Sequence, residues 1–599
     1  MTASADARAR RGAVRIAAVV GAAFAVLALL GVAASTPRFF NDELFYMEAG
    51  VSLGQGDGLA FRGEEWGYGP VYPALIAFLV RITGDQETTY DLVKILNALC
   101  FALAAVPVFV LARRLLPRRP ALVVAAAAVA LPSSMYVSVS MTESVAYLLA
   151  ASAVTLTALV LERPTAVRQL ATLAVIAAAV ATRPQLVSLA VGYAMALVAG
   201  ALTVSGLRDE VRSRPRRLWP TGLAAVAGLA VFIRAATGEE GFAGAFGSYG
   251  ALAQGYDIGG IVWWSLRHLG ALVLYSGFAL AAAAPAAVAL LWWRGRGGPA
   301  RAVAIAVLAQ TAAALGVVGA FASTDFGQGL LFDRYLFWLL PGWIAVALAW
   351  ALGGAPRSRR TAAVGVVCAI VPVAVLPFAS LAEENWFRQF QAVGTELWGK
   401  VGSAAARLPG ISALGVALAC TVVIAALTLA GPRRLRIAAA GAVALTLAAN
   451  LLLAWRSAFV DPDLYGLPPR GERSWVDDVL PTRARAVVLS VARPCDGERA
   501  GFAGIETEYF NRTVNHAGLL GGEAADAPDR LRVTADGTLE RRSGAPFRAV
   551  YVVAPPGVEL VGAVLAQSQG AGLVLWRTDG RVRAASARND ADLLASPCP

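Results

Sequence analysis

Apolar stretches long enough to cross a bilayer recur along most of this chain, and arginine clusters occupy every second connection between them. A helix needs about 20 predominantly apolar residues to traverse the hydrocarbon core. Such stretches run near 93–112, 121–138, 144–161, 169–182, 186–205, 219–236, 267–291, 300–321, 335–353, 361–381, 411–430 and 437–455. One more precedes them, following Arg8, Arg10, Arg11 and Arg15 and ending near Ser35. It is too long for the apolar region of a signal peptide and has no clear cleavage site, so it reads as a transmembrane helix. Only 15% of the residues are charged, against about 25% in soluble domains. The sequence therefore predicts a polytopic α-helical membrane protein with about thirteen transmembrane helices.

Charge sets the orientation. The N-terminus and the arginine-rich connections hold 24 basic residues, whereas the opposite side holds 12 before the polar tail begins. Basic residues stay inside, so residues 1–12 are expected in the cytoplasm, 13–455 in the membrane, and the tail 456–599 outside. The first outer loop, 36–91, contains the apolar run Pro70–Val80, which is short and holds two prolines. It is expected to lie along the membrane surface, because counting it as a span would put most arginine clusters outside. The net charge of +12 is no nucleic-acid signal, since the tail from Ser457 onward has 16 Arg against 18 Asp plus Glu. A multi-pass protein of the cell membrane, in contact with its lipids and with no nucleic-acid partner, is the expectation.

The tail is long enough for one domain. Runs such as Ala486–Val491, Ala549–Val553 and Gly572–Trp576 suggest strands, Asp536-Gly537 and Asp579-Gly580 mark turns, and Pro556–Gln569 suggests a helix. A β-rich or mixed α/β module results. Cys495 and Cys598 lie in this tail, and outside the cytoplasm a disulfide between them is expected. Cys100, Cys368 and Cys420 fall in apolar stretches and read as small buried hydrophobes. The aromatics Trp475, Tyr509, Tyr551 and Trp576 can stack on sugars, though such residues more often build a core.

This topology gathers ionisable residues on the outer face. Asp42-Glu43 follow the first span, Asp57, Glu64, Glu65 and Tyr68 lie in the first loop, and Lys94 and Asn97 open the second span. Thr142-Glu143, Arg183, Arg267-His268 and Asp333-Arg334-Tyr335 join them from later helix ends. Each alone has a structural reading. Arg183 suits an interfacial anchor, His268 a hydrogen-bonded packing residue, and Glu143 a charge favoured by a helix N-terminus. Together, carboxylates able to take a proton from a hydroxyl and cations able to hold phosphate point to a lipid-phosphate-linked donor. A transporter or flippase of a lipid-linked or anionic substrate is the alternative. Transporters, however, place their sites near the midplane within internal repeats, and no two-fold hydropathy repeat is evident.

The segments Asn41-Asp-Glu-Leu-Phe-Tyr46, Gly69-Pro-Val-Tyr-Pro-Ala-Leu75, Val93-Lys-Ile-Leu-Asn97, Met141-Thr-Glu143, Thr182-Arg-Pro184 and Phe332-Asp-Arg-Tyr-Leu336 appear in this order. In order and topological side they resemble the GT-C superfamily of polyprenyl-phosphate-sugar glycosyltransferases, which includes protein O-mannosyltransferases and aminoarabinose transferases. The resemblance covers about residues 13–455. It implies an inverting glycosyltransferase that moves a sugar from a polyprenyl-phosphate donor to a hydroxyl of a glycan, lipid or protein. Asp42 would be the catalytic base, with Glu43 beside it, and Glu143 would position acceptor or sugar. Lys94, Arg183, Arg334 and His268 would hold the phosphate, and Tyr68, Asn97 and Tyr335 belong to the same substrate-binding set. The glycine-rich first loop could close over the donor. Some relatives use a divalent metal ion, although no ligand set stands out here. Of 52 basic residues only Lys94 and Lys400 are lysine, a bias expected of a GC-rich genome such as an actinobacterium's.

Overall fold

The computed structural model describes residues 2–38, 41–204, 207–209, 213, 215–237, 257–292, 298–327, 329–352, 367–368, 370–378, 391–405, 407–408, 412–430, 433–459, 467–491, 497–520, 529–534, 536–541 and 545–583. Seven described helices are long and apolar enough to cross a membrane, or eight if the bent pair Arg118–Val129 and Pro132–Ser138 is one span. The protein is thus a multi-pass helical membrane protein. The number thirteen is not reached among the described residues, and nearly half of the expected span 361–381 lies outside them.

The chain begins with α1 (Thr2–Ala33) and then α2 (Asn41–Gln55), which carries Asp42 and Glu43 in its first turn. A short hairpin follows, β1 (Ala60–Phe61) and β2 (Glu64–Glu65). Its two turn residues, Arg62 and Gly63, both have positive φ (50° and 80°), as a two-residue hairpin turn of the right twist requires. Next, α3 (Val71–Ile82) buries Tyr72, Ile76 and Val80 and exposes Phe78 and Ile82. An amphipathic helix of this kind suits the membrane surface. It packs closely on α2, because a Cβ at Gly50 or Gly54 would collide with Ile76 or Val80.

The bundle continues with α4 (Gln86–Leu103), α5 (Ala105–Ala112) and α6 (Arg118–Val129). Pro132 then stops the helical path, since proline disfavours a helical backbone at the residue before it; Leu131 is extended (φ −72°, ψ 150°). The chain bends by 50° into a fully buried 3₁₀ turn, Pro132–Ser138. After it come α7 (Glu143–Glu162), α8 (Ala166–Thr182) and α9 (Val187–Thr203). The expected single span 267–291 is two helices instead, Ile258–Tyr275 and Ala279–Trp292. Between them Gly277 and Phe278 take left-handed backbone (φ 57° and 69°), which no helix continues through. An unbroken apolar run hides such a stop.

The tail folds into a seven-stranded mixed sheet ordered β6-β5-β4-β3-β7-β9-β8. The strands are β3 (Ala486–Val491), β4 (Val514–Leu520), β5 (Asp529–Val533), β6 (Leu539–Arg541), β7 (Tyr551–Ala554), β8 (Leu560–Ser568) and β9 (Leu573–Val582). Strands β5, β4, β3 and β7 run parallel, and helix Gly497–Phe510 makes the crossover from β3 to β4. A parallel pair needs such a crossover. The helix expected over 556–569 is strand β8, paired antiparallel with β9; its alternating neighbours on β9 outweigh its helical composition. Cys495 and Cys598 lie outside the described residues.

Tail and first loop are fastened together. Arg512 donates to Thr83 O (3.1 Å), Thr83 Oγ1 (2.8 Å), Asp85 O (3.0 Å), Gln86 Oε1 (3.1 Å) and Thr89 Oγ1 (2.7 Å). Arg62, at the hairpin tip, forms a two-pronged ion pair with Glu508, and Arg473 reaches Ser35 O at 2.8 Å. The glycine-rich loop is therefore tied to the tail. Arg512→Ala removes the five bonds to 83–89, and hydrogen exchange in 83–89 should rise by at least tenfold while α7 keeps its protection.

Candidate active site

Asp42 stands in the first turn of α2 with its side chain one-third exposed. Facing it is Arg334, from the 3₁₀ turn Asp333–Tyr335, whose Nη2 lies 3.2 Å from Asp42 Oδ2 and 3.0 Å from the Tyr335 hydroxyl. The other amino group of Arg334 lies 3.7 Å from Oε1 of Glu143, at the start of α7. The same carboxylate oxygen accepts from Nη1 of Arg183 at 2.5 Å. Arg183, just past α8, lays its guanidinium 4.3 Å from the centre of the Tyr335 ring. Four separate elements thus bring Asp42, Glu143, Arg183, Arg334 and Tyr335 into one network. Glu143 is fully buried and its Oε2 has no hydrogen-bond partner. A buried carboxylate oxygen without a donor is costly, so it is disposed to accept one from an incoming group.

Beside this network lies a small pocket whose lining includes Glu143, Arg183, Gln185, Arg334 and Tyr335 as well as apolar Ala146, Leu186, Val318 and Trp338. Its lining thus combines two guanidiniums with apolar side chains. The turn bearing Arg334 is held from behind. Gly394 N donates to Asp333 Oδ2 (2.7 Å), and Phe332 N donates to His268 Nε2 (3.0 Å).

Several expected residues take other places. His268 is fully buried with both ring nitrogens used, since Nδ1 also bonds Trp264 O at 2.8 Å. This fixes a neutral tautomer that supports Phe332 instead of binding phosphate. Lys94 is also buried, its ammonium 3.0 Å from Asp91, 3.3 Å from Ala34 O and 3.9 Å from the Tyr90 ring centre. Asn97 bonds Tyr72 and Val139 O. Neither joins the network, because both project from the face of α4 that is covered by α1 and the first loop. Tyr68 packs against Phe45 and Trp66. Among the described residues no group of three or more His, Cys, Asp or Glu could hold a metal ion.

Glu43 has no exposed surface. Its Oε2 accepts from Arg38 N (3.0 Å), and its Oε1 from Ser140 N (3.1 Å) and the Tyr90 hydroxyl (3.4 Å). Burial pushes this carboxyl up to about 7, against the pull of those donors and of Lys94. Sequence reasoning gave no role to Ser140, Tyr90 or Asp333. A serine or tyrosine without periodicity or a motif carries no signal, and Asp333 was noted only as Arg334's neighbour.

The family of dolichyl-phosphate-mannose-protein mannosyltransferases matches residues 68–236. No curated protein sequence matches the chain. Among solved structures, ArnT from Cupriavidus metallidurans bound to undecaprenyl phosphate is similar, at 14% identity and a TM-score of 0.51, covering 94% of this chain and 97% of that one. The oligosaccharyltransferase AglB from Archaeoglobus fulgidus, in complex with an inhibitory peptide and a dolichol-phosphate, is 13% identical with a TM-score of 0.39, covering 90% and 69%.

A carboxyl raised by folding stabilises the fold fully below its ordinary value of 4.5, and that contribution is lost as pH rises through about 7. Thermal unfolding of the detergent-solubilised protein should therefore show a stability loss across this window. Glu43→Gln, which cannot ionise, should flatten that part of the profile; an unchanged slope assigns it to other groups.

Proposed function

Since the chain has the fold of the GT-C glycosyltransferases, we propose that it is an inverting glycosyltransferase moving a sugar from a polyprenyl-phosphate donor to a hydroxyl outside the cytoplasm. The observation that carries this reading is the pairing of Asp42 with Arg334, which also lines a small pocket together with Arg183 and apolar side chains. A lipid phosphate has the same two-part chemistry, an anionic head and an apolar chain. The matched mannosyltransferase family and the undecaprenyl phosphate bound by ArnT support the same donor class.

Asp42 acts as the base. Its ion pair with Arg334 holds it in place, and its partial exposure leaves it reachable by an acceptor. It takes the proton of the acceptor hydroxyl, whose oxygen attacks the anomeric carbon while the bond from that carbon to the phosphate oxygen breaks. The phosphate gains negative charge as it leaves. Arg334 and Arg183 receive that charge with planar donors fixed before the reaction. Glu143 holds both guanidiniums and turns its unpartnered oxygen towards a sugar hydroxyl. Glu43 acts behind Asp42, orienting the first turn of α2. The arginine bias of the connections supports a cytoplasmic N-terminus and an outer tail. The acceptor is a glycan, lipid or protein of the cell envelope.

Asp42→Asn should leave the purified protein folded and lower transfer from polyprenyl-phosphate sugars by about 10²–10⁴-fold; full transfer by that variant removes Asp42 as the base. Separately, Arg334→Ala should weaken binding of undecaprenyl phosphate by about 10–100-fold, as read by titration in detergent. Unchanged affinity would take Arg334 out of the phosphate site.

A further inference from the structure

We propose that Tyr509, in the C-terminal domain, is a positioning residue for the Asp42 base, acting through Ser140 and Glu43. This rests on the glycosyltransferase reading. The path is a continuous chain of hydrogen bonds between groups with almost no exposed surface. Ser140 Oγ donates to the backbone carbonyl of Glu43 at 3.2 Å, which spends its only proton. The Tyr509 hydroxyl, 2.6 Å from the same oxygen, is therefore the donor into it. Ser140 N meanwhile donates to the Glu43 carboxylate at 3.1 Å. One serine thus grips Glu43 at both its main chain and its side chain, and Tyr509 fixes the rotamer that makes the grip possible. Asp42 is the preceding residue in the same first turn, so its position is set by that grip on one side and by Arg334 on the other.

The tail holds Tyr509 firmly enough for the role. The neighbouring Glu508 is clamped by Arg62, and Asn511 Nδ2 donates to Arg473 O (2.9 Å) and Thr507 O (2.8 Å). The ring of Tyr509 also meets Tyr90 edge-on with centroids 5.5 Å apart, and the Tyr90 hydroxyl is itself a donor to Glu43. The outer domain thereby contributes to the geometry of a site that otherwise belongs wholly to the membrane part.

The full-length protein in detergent tests this with Tyr509→Phe, Ser140→Ala and the double variant. Hydrogen exchange is read in peptides covering 41–47 and 138–142, with β3 and β7 as an internal measure of an intact tail. Tyr509→Phe should speed exchange in 41–47 and 138–142 by at least about fivefold and leave the two strands unchanged. In transfer from a polyprenyl-phosphate sugar, kcat should fall about tenfold with donor KM unchanged within about twofold. The double variant should cost no more than either single one, because both cut the same chain. Unchanged exchange in 41–47, an effect on KM alone, or single effects that multiply in the double variant would each overturn the role. If the wild-type protein transfers no sugar, the glycosyltransferase reading fails, and exchange alone decides whether Tyr509 holds the turn.

Discussion

A carboxylate with no exposed surface must be surrounded by donors, and Glu43 draws them from three separate stretches: Arg38 before α2, Tyr90 on α4 and Ser140 beyond the bent turn. That requirement ties the loop after the first span to the start of α4 and to the turn before α7. Without it α2 would be held on α3 by its apolar face, two close-packed glycines and the bonds from Arg81 to Leu53 O and Gly54 O near its C-terminal end. With it, the orientation of the first turn is specified by directional bonds, and the adjacent Asp42 inherits that orientation. Burial of a charge is a poor source of stability but a strong source of specificity of this kind.

The network around Arg334 obeys a related logic. Two guanidiniums and two carboxylates nearly balance, yet they do not share the same burial: Asp42 stays one-third exposed, whereas Glu143 and both arginines are enclosed. The exposed member is open to an incoming group. In the proposed transfer, the enclosed ones would act in a weakly screened setting, where charge is felt most strongly. Asp333 and His268 serve the arrangement from behind by holding the turn that presents Arg334.

Much of this was legible in the sequence, and the parts that were not have physical reasons. Apolar length and arginine bias are the marks a bilayer leaves on a sequence, the first of spans and the second of the orientation expected for them. They cannot reveal the stop at Gly277-Phe278, which is a backbone event inside an uninterrupted apolar run. Asp42, Glu143, Arg183 and Arg334 could be read as a group, since charge at helix ends is scarce in such a chain. Lys94 and His268 carried the same signal but are consumed by Asp91 and Trp264 one helical turn away and by Ala34 and Phe332, which only the packing brings near. Ser140 and Tyr509 lie 369 positions apart, a separation across which no local pattern speaks.

The glycine-rich first loop could close over a donor, and the contacts it makes are these: its hairpin tip is paired to Glu508, its neighbouring turn is filled by Arg512, and α3 is laid against α2 without room for a methyl group. Loop and tail are therefore cross-linked at several points. Removing the tail would strip the hairpin tip and residues 83–89 of the partners that Glu508 and Arg512 supply, so the first loop owes its shape to chain that lies more than four hundred residues further on.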